Sequence, residues 1–259
     1  MLRIKNYSKS YDDKLVVKGI NLDVKKGEIY GFIGHNGAGK TTTIKSIAGI
    51  LDFEGGEIFI DGKSIKENPI ECKKIMAYIP DNPVLYEGLT GIKYLNFIAD
   101  IYKVDSARRT ELIKKYSELF ELDKNLGDSI SSYSHGMKQK LAVISALIHE
   151  PKLLLLDEPF VGLDPKASHI LKTIMREICD QGGCIFFSTH VLEVAEKLCD
   201  HVCIIKSGEI VKDGTVEEII RNVVLENNID VIAVGGLTAQ YWAIKEIIDS
   251  AKKVKPEIV

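Results

Sequence analysis

The sequence has few cysteines and no apolar run long enough to cross a membrane. Its 259 residues include five cysteines and one tryptophan. The longest apolar runs, Leu141–Ile148 and Leu153–Leu156, fall short of the roughly 18 residues that a membrane-spanning helix needs. Because the cysteine count is odd and we expect an intracellular protein, we predict no disulfides. The absence of a long apolar run predicts a soluble protein.

An excess of positive charge is also absent. There are 34 lysines and arginines against 37 aspartates and glutamates, for a formal net charge of −3. Nucleic-acid-binding domains are usually strongly basic, so we expect no nucleic-acid partner. The opening residues Met-Leu-Arg-Ile-Lys-Asn lack the apolar segment of a signal peptide, and we predict none. The length allows one large domain or two small ones.

One short segment contains three potential metal ligands, Cys199, His201 and Cys203. The apolar residues between and after them favour a strand instead, and alternation along a strand would place all three side chains on one face. A metal site is the less favoured interpretation of this segment, and we predict the strand.

Apolar spacing predicts strands at both ends of the chain's first 222 residues and helices between them. Period-two or continuous apolar runs predict strands, and spacing of three and four predicts helices. Helical spacing runs through a block from about residue 90 to His149, which predicts a helical subdomain at about 88–150 inserted into an α/β frame. The predicted elements outside this block are the strands Leu2–Ile4, Leu15–Val17, Ile20–Val24, Glu28–Ile33, Glu57–Ile60, Leu153–Leu156, Cys184–Ser188 and Val202–Ile205 and the helix Thr41–Ile50.

A glycine-rich segment between a predicted strand and a predicted helix has the spacing of a phosphate-binding loop, GxxxxGK[ST]. Glycines allow backbone N–H groups to turn toward phosphate oxygens, and the following helix presents its positive end to the same anion. We expect Lys40 to reach the terminal phosphates of a nucleotide and the Thr41 hydroxyl to bind Mg²⁺. The predicted nucleotide-binding residues here are Gly34, His35, Asn36, Gly37, Ala38, Gly39, Lys40, Thr41 and Thr42.

A run of four leucines followed by Asp157 and Glu158 is the second chemical signal. Such a run is typical of a strand buried on both faces of a parallel sheet, and ligands of such sheets bind beyond the carboxyl ends of the strands. We therefore predict that Asp157 binds Mg²⁺ and that Glu158 orients or deprotonates an attacking water.

Further motifs appear in a fixed order along the chain. Tyr11 lies upstream of the phosphate loop, Ser134–Met137 precedes a predicted helix, Gly162–Pro165 follows the acidic pair, and Ser188–His190 ends a strand. With this set, residues 1–222 resemble the ATP-binding subunits of ABC transporters. The Ser134 segment resembles the family's signature sequence, the segment containing Asp164 its D-loop, and His190 its switch histidine.

The resemblance implies a fold, a reaction and partners. It implies an α/β P-loop NTPase core of the RecA type, with an N-terminal antiparallel β subdomain and the inserted helical subdomain. It implies hydrolysis of ATP with Mg²⁺ by two subunits joined head to tail, coupled to transport by a separate membrane permease at the inner face of the cell membrane. By the same resemblance, Glu158, His190 and Asp81 would be catalytic, Asp81 would also contact the metal, and Tyr11, Ser134, Gly136 and Asp164 would bind nucleotide.

Two positions depart from the family pattern. Asp81 occupies the place of a glutamine that touches Mg²⁺ and the attacking water, and a shorter, charged side chain is expected to alter metal binding or coupling. In the signature, Tyr133, His135 and Met137 replace leucine, glycine and glutamine, while Ser134 and Gly136 are retained. Histidine at position 135 predicts a pH-dependent affinity for phosphate.

The segment 81–90, together with the signature from Ser134 to Gln139, resembles exporter-type ATPase subunits, and residues 81–105 would line the groove that receives a helix of the permease. Two other functions remain possible from the residues alone: a non-transport ABC protein acting on ribosomes or DNA, and a cassette that binds ATP without turnover. Proteins of the first kind usually carry two cassettes or a long coiled coil, which this chain lacks. The presence of both Glu158 and His190 argues against the second.

The resemblance stops at about residue 222. Residues 223–259 predict a β-α extension, with a strand at Asp230–Val234 and a helix at Ala239–Lys252. This unit faintly resembles the start of a cobalamin-binding domain. It lacks the Asp-x-His-x-x-Gly element that ligates cobalt there, so we predict no cobalamin.

Overall fold

Two β-sheets and a helical segment make up the structure, a computed structural model that describes residues 1–12 and 14–219. The predictions for 223–259 lie outside the described residues. The strands are β1 (Leu2–Tyr11), β2 (Lys14–Val24), β3 (Ile29–Ile33), β4 (Gly55–Ile60), β5 (Lys63–Ser64), β6 (Met76–Ile79), β7 (Leu153–Asp157), β8 (Cys184–Thr189), β9 (His201–Lys206) and β10 (Glu209–Thr215). The helices are α1 (Lys40–Ile47), α2 (Pro69–Lys74), α3 (Gly91–Ile101), α4 (Ser106–Leu119), α5 (His135–Leu147), α6 (Pro165–Asp180) and α7 (Leu192–Leu198).

The first sheet is antiparallel, with strand order β2-β1-β4-β5. Leu2 and Ile4 are buried on one face of β1 while Arg3 and Lys5 are exposed on the other. This alternation is what a sheet with one solvated face requires. The sheet therefore packs one apolar face against the rest of the protein, including Ile44 and Ile47 of α1.

The second sheet has strand order β10-β9-β3-β8-β7-β6. Its strands pair in parallel except for β10, which is antiparallel to β9. Every residue of β3, β7 and β8 is buried, because α1 and the antiparallel sheet cover one face of this sheet and helices that include α5 and α6 cover the other. The carboxyl ends of β3, β7 and β8 consequently lie side by side at one edge, where the phosphate loop begins.

Helices α3, α4 and α5 lie between β6 and β7 in the chain, in the segment whose apolar spacing predicted helices. Leu95, Leu112 and Leu141 are among the residues by which the three helices share one apolar core with the parallel sheet. Tyr133 donates its hydroxyl proton to the carbonyl of Asn125 at 2.6 Å, which ties the turn before α5 to the end of the α4 region. This bond restrains the segment that leads into α5.

Several predictions need correction. Strand β1 continues beyond Ile4 to Tyr11, and the two strands predicted at Leu15–Val17 and Ile20–Val24 form one continuous strand, β2. Helix α1 covers Lys40–Ile47, not Thr41–Ile50, because the chain turns out of the helix after Ala48 at Gly49, whose φ is +62°. Helices α2, α6 and α7 were missed: α2 and α7 have only six and seven residues, too few to show a period, and the 16-residue α6 lies outside the predicted helical block. Cys199 does not share a strand face with His201 and Cys203: it follows α7, before β9 begins, and it packs in a different apolar cluster from Cys203.

All five cysteines are free, and four of them are buried. Burial raises the pKa of the Cys179 thiol to about 11 and that of Cys184 to about 12. In the residues that the structure describes, there is no helix of the length and apolarity needed to cross a membrane.

Candidate functional site

A cleft of about 300 Å³ lies at the carboxyl edge of the parallel sheet. It is bordered by the loop after β3, the start of α1, the segment after β6 and the end of β7. Ligands of open parallel sheets bind at this edge. The residues that line the cleft are Val16, Asn36, Gly37, Gly39, Lys40, Thr41, Thr42, Asp81, Asp157 and Glu158.

The loop from Gly34 to Gly39 is shaped by glycines and holds Lys40. A Cβ added at Gly34 would lie 2.5 Å from the Ile205 carbonyl oxygen, and Gly39 has a φ of +107°. The Lys40 side chain is 6% exposed, and its Nζ donates to the carbonyl of Gly34 at 2.7 Å. Burial lowers the pKa of Lys40, while the nearby charge of Glu158 opposes this shift. The lysine charge is thus oriented inside the loop.

Asp157 is 1% exposed, and its two carboxylate oxygens differ. Oδ1 accepts a hydrogen bond from the Ser188 hydroxyl at 2.5 Å. Ser188 also accepts a hydrogen bond from the backbone N–H of Glu158 at 3.2 Å, so one hydroxyl fixes both acidic residues. Oδ2 is buried and makes no hydrogen bond with the residues that the structure describes. A buried carboxylate oxygen without a protein partner is unusual and calls for a ligand.

The residues around this oxygen fit Mg²⁺. The cleft brings together the Thr41 hydroxyl-bearing side chain and the carboxylates of Asp81 and Asp157. Hydroxyl and carboxylate oxygens are the ligands that Mg²⁺ prefers, and it usually binds through one or two carboxylates together with substrate phosphates. Asp81 has a backbone partner, because its Oδ1 accepts from the N–H of Asn82 at 2.8 Å.

Glu158 stands one residue beyond Asp157 and faces a different group. Its φ of +48° turns the chain sharply at the end of β7. The Glu158 Oε1 lies 2.8 Å from His190 Nδ1 and 3.7 Å from Lys40 Nζ. The glutamate side chain is only 16% exposed, whereas that of His190 is 50% exposed. Glu158 therefore sits between a cation of the phosphate loop and a histidine at the end of β8.

The signature segment lies at the start of α5. The Ser134 hydroxyl accepts a hydrogen bond from the Met137 N–H at 3.2 Å and caps the helix. His135 packs against the loop between β7 and α6, because a Cβ added at Gly162 would lie 2.7 Å from its ring. Gly136 is close to the same loop, where an added Cβ would lie 3.1 Å from the Gly162 carbonyl oxygen.

Asp164 caps α6 and pairs with α5. Its carboxylate accepts from the Ala167 N–H at 2.8 Å and lies 2.7 Å from Lys140 Nζ. The hydrogen bond from Lys140, followed by that from Ala167, lowers the pKa of Asp164. This side chain is therefore ionised and engaged within its own subunit.

The structure brings most of the predicted site residues to the cleft but not all of them. Within the described part of the chain, the cleft lining includes neither Tyr11 nor Ser134, Gly136 or Asp164. Tyr11 ends β1 opposite Lys14 and is exposed, so its stacking on adenine stays a prediction. Gly34, His35 and Ala38 belong to the loop whose neighbouring residues line the cleft, and His190 contacts the lining residue Glu158.

Sequence reasoning missed two residues of this region. Val16, on β2, lines the cleft beside the phosphate loop. Ser188 bonds Asp157 from the neighbouring strand. The signal for Ser188 was the pair of hydroxyl residues, Ser188 and Thr189, at the end of an otherwise apolar strand. The β7–β8 register that pairs Ser188 with Asp157 is a property of the folded sheet.

The fold and the cleft together define a P-loop nucleotide-binding protein, and comparisons with known proteins agree. A family model described as "ABC transporter" matches residues 17–161. The chain is 36% identical over 219 residues to the ABC-type transporter ATP-binding protein EcsA of Bacillus subtilis (strain 168), covering 85% of this chain and 89% of that protein. It is 32% identical over 236 residues to the Nod factor export ATP-binding protein I of Cupriavidus metallidurans, covering 91% and 77%.

A solved structure described as an ATP-binding subunit of an ABC transporter superposes with a TM-score of 0.86 at 35% identity, covering 95% of this chain and 99% of that one. The chain belongs to the ABC transporter family. It is an ATP-binding subunit and an ATPase, and its substrate is ATP with Mg²⁺. The resemblance drawn from the ordered motifs is confirmed.

Proposed function

We propose that this subunit hydrolyses ATP with Glu158 as general base and drives export through a membrane permease. The observation that carries the proposal is the contact of Glu158 with both His190, at 2.8 Å, and Lys40, at 3.7 Å. A carboxylate held between the phosphate-binding lysine and a histidine is placed to orient a water toward a terminal phosphate and to accept its proton.

Each residue has a separate role in this scheme. Lys40 places its charge on the phosphate oxygens, where negative charge is highest. His190 holds the Glu158 carboxylate through Nδ1. Asp157, Thr41 and Asp81 would hold Mg²⁺, which neutralises charge on the phosphate oxygens when it is bound.

A second ATPase subunit, identical or closely related, would complete each site. Ser134 and Gly136 lie at the start of α5, where free backbone N–H groups favour an anion, yet they lie outside the cleft of their own subunit. A head-to-tail pair would place these residues of one subunit over the phosphates bound by the other. Val161, next to the Gly162 loop that contacts the signature, and Val191, next to His190, are exposed apolar residues, which supports a contact with a second protein surface.

The permease would dock on an exposed apolar patch within residues 81–105. Val84 is 93% exposed and Tyr86 is 62% exposed, and the Tyr86 ring meets that of Phe97 edge-on at 5.6 Å. Ile101 extends the patch along α3. Apolar side chains grouped on a surface mark an interaction site, and a helix of a membrane protein fits such a groove. The subunit would then lie at the inner face of the cell membrane.

Export is the direction that the relatives favour. The name of the Cupriavidus metallidurans relative describes Nod factor export, and this chain covers 77% of its length at 32% identity. The cargo would be selected by the permease, which contacts it, and not by the ATPase subunit.

Hydrolysis assays and size-exclusion chromatography with Mg-ATP test the proposed role of Glu158 and the ATP-dependent dimer. Glu158→Gln removes the base but keeps the volume of the side chain, so we expect hydrolysis to fall by about 100-fold or more while ATP binding remains. The variant should elute as an ATP-dependent dimer. The control is Glu57→Gln, on the exposed face of β4. Equal hydrolysis by Glu158→Gln and the control would exclude Glu158 as the base, and a wild type without turnover would indicate a cassette that only binds ATP.

Recovery with native membranes tests the docking patch. The double variant Tyr86→Ser and Phe97→Ser should hydrolyse ATP in solution as the wild type does, but should be lost from the membrane fraction. Ile70→Ser is the matched control, since Ile70 is an exposed apolar residue on α2. Retention of the double variant at the wild-type level would place the permease contact elsewhere.

A further inference from the structure

Asp157 is flanked by a polar residue on each neighbouring strand, and only one of the two contacts it directly. On the β8 side, Ser188 is directly opposite Asp157 and donates to its Oδ1. On the β6 side, Tyr78 is opposite Leu155, two residues before Asp157. Residues two apart on a strand share a face, so Tyr78 and Asp157 are diagonal neighbours on the face covered by α1.

The Tyr78 hydroxyl is buried, and the residues that the structure describes offer it no hydrogen-bond partner. Its ring packs with the apolar cluster that contains Leu153 and Leu155. Burial, followed by the negative charges of Asp157 and Asp81, raises the pKa of Tyr78. The hydroxyl therefore carries its proton and is a hydrogen-bond donor at neutral pH.

Two unpaired buried atoms thus lie on one face of adjacent strands, at the edge where nucleotide binds. They are the Tyr78 hydroxyl and Asp157 Oδ2. Unpaired buried polar atoms are rare in folded proteins, and two of them close together commonly share a ligand or an ordered water. One is a donor and the other an acceptor, which is the complement that a single water molecule needs. A purely structural role would leave this hydroxyl unexplained, because a phenylalanine would pack equally well.

We propose that Tyr78 is a positioning residue for Mg-ATP, whose hydroxyl and the Oδ2 of Asp157 together hold a water molecule of the Mg²⁺ hydration shell. This inference rests on the proposed nucleotide site. Mg²⁺ gives up its water reluctantly and keeps several molecules when it binds proteins. Groups that fix those waters act as a second layer of ligands and tune metal affinity. Ser188 and Tyr78 then orient Asp157 and its water from opposite strands.

Binding of a fluorescent ATP analogue, measured with EDTA and with saturating Mg²⁺, tests this role apart from activity. Tyr78→Phe removes only the hydroxyl, so we expect affinity in EDTA to match the wild type. The gain in affinity that Mg²⁺ gives should fall by about five-fold, the usual effect of one lost hydrogen bond. The matched control is Tyr30→Phe, because Tyr30 is a buried tyrosine whose hydroxyl donates to Asp213 at the other end of the sheet.

The outcomes separate three cases. A Mg²⁺-dependent gain in Tyr78→Phe equal to that of the wild type and of Tyr30→Phe overturns the inference. An equal loss of affinity in EDTA and in Mg²⁺ also overturns it, because it would show a packing role. A wild type with no Mg²⁺-dependent gain would instead overturn the proposed nucleotide site itself. If Tyr78→Phe does not fold, Tyr78→Met, which also lacks the hydroxyl, carries the same expectation.

Discussion

Ser188 shows how a single hydroxyl organises the acidic end of β7. It donates to the Asp157 carboxylate and accepts from the Glu158 N–H, and it is fully buried. The two acidic residues have separate proposed roles: Asp157 binds the metal and Glu158 is the catalytic base. Because Ser188 bonds both residues, it also fixes the position of the metal-binding residue relative to the base.

Ser188→Ala should destabilise the protein by about 2 kcal/mol, since it leaves a buried carboxylate oxygen without its donor. Ser117→Ala is the matched control: Ser117 is equally buried, but its hydroxyl donates to the Lys114 carbonyl within its own helix. We expect a change of about 0.5 kcal/mol or less there. Urea unfolding of both variants measures the difference, and equal losses would show that the Asp157 bond is not stabilising.

His149 should make stability depend on pH. Its ring stacks on Tyr102 with centroids 3.7 Å apart, and its Nε2 lies 3.0 Å from the Met76 carbonyl oxygen, to which it donates. Burial lowers the pKa of His149 from its ordinary value of 6.5, so the unfolded chain binds this proton more tightly than the folded protein does. The contribution to stability is complete above about pH 6.5 and is lost as the pH falls through the lower folded-state pKa.

The pH dependence of the free energy of unfolding, compared between the wild type and His149→Gln, tests this prediction. Between about pH 7 and about pH 5, the free energy of unfolding should fall more steeply for the wild type than for His149→Gln, because glutamine does not titrate. Parallel curves for the two proteins would show that His149 titrates alike in the folded and unfolded states.

At the scale of elements, the stability of helix α6 depends on Asp164, the residue that caps its N-terminus. The carboxylate caps the helix and pairs with Lys140 of α5. Asp164→Asn keeps an oxygen for the cap and should cost about 0.5 kcal/mol for the half-exposed ion pair. Asp164→Ala removes the cap as well and should cost about 1 kcal/mol more. Thermal and urea unfolding would report the gap, and identical stabilities would show that the cap contributes nothing.

The phosphate loop and the acidic strand end could be predicted from the sequence because each is a local pattern. Residues 34–41 have a fixed spacing of glycines and lysine, and four leucines before Asp157 predict a buried parallel strand. Long elements such as α4 and α5 repeat their apolar residues over several turns. The period alone predicted a helical block, and it did not give the ends of its helices, such as the start of α5 after Ser134.

What could not be predicted depends on contacts between distant segments. The pairing of Ser188 with Asp157 requires the order of strands in the sheet, and the positive φ of Glu158 has no sequence signal. Helix α2 is too short to show a period. Cys199 was assigned to a strand because alternation of polar and apolar residues continued past the true start of β9 at His201.

At the scale of the whole molecule, the turn between β9 and β10 joins three parts of the structure. The Gly208 carbonyl accepts from the Lys18 N–H of the first sheet at 2.9 Å. The Gly208 N–H donates to the Ala38 carbonyl of the phosphate loop at 3.1 Å. This turn therefore couples the antiparallel sheet, the edge of the parallel sheet and the nucleotide site.

Gly208→Ala should weaken all three at once. Its φ is +83°, and an added Cβ would lie 2.2 Å from the Val16 carbonyl oxygen. Gly182→Ala is the matched control, with a φ of +84° and open space around the added atom among the described residues. We expect about 1 kcal/mol of destabilisation at Gly182 from the backbone alone. Gly208→Ala should lose about 1–3 kcal/mol more, together with ATP affinity. Equal losses of stability for Gly208→Ala and Gly182→Ala in unfolding experiments would show that the turn at Gly208 adjusts to the added Cβ without disturbing the phosphate loop.

The burial of the cysteines makes this ATPase convenient for site-specific labelling. A maleimide reacts with the thiolate, so an exposed thiol with an ordinary pKa reacts much faster than a buried one. Four of the five native thiols are buried, and the pKa of Cys179 and Cys184 is raised. A cysteine introduced at Val84, which is exposed in the proposed permease patch, should therefore accept a fluorophore or spin label selectively without removal of the native cysteines. The same background would allow crosslinking between subunits to be mapped residue by residue.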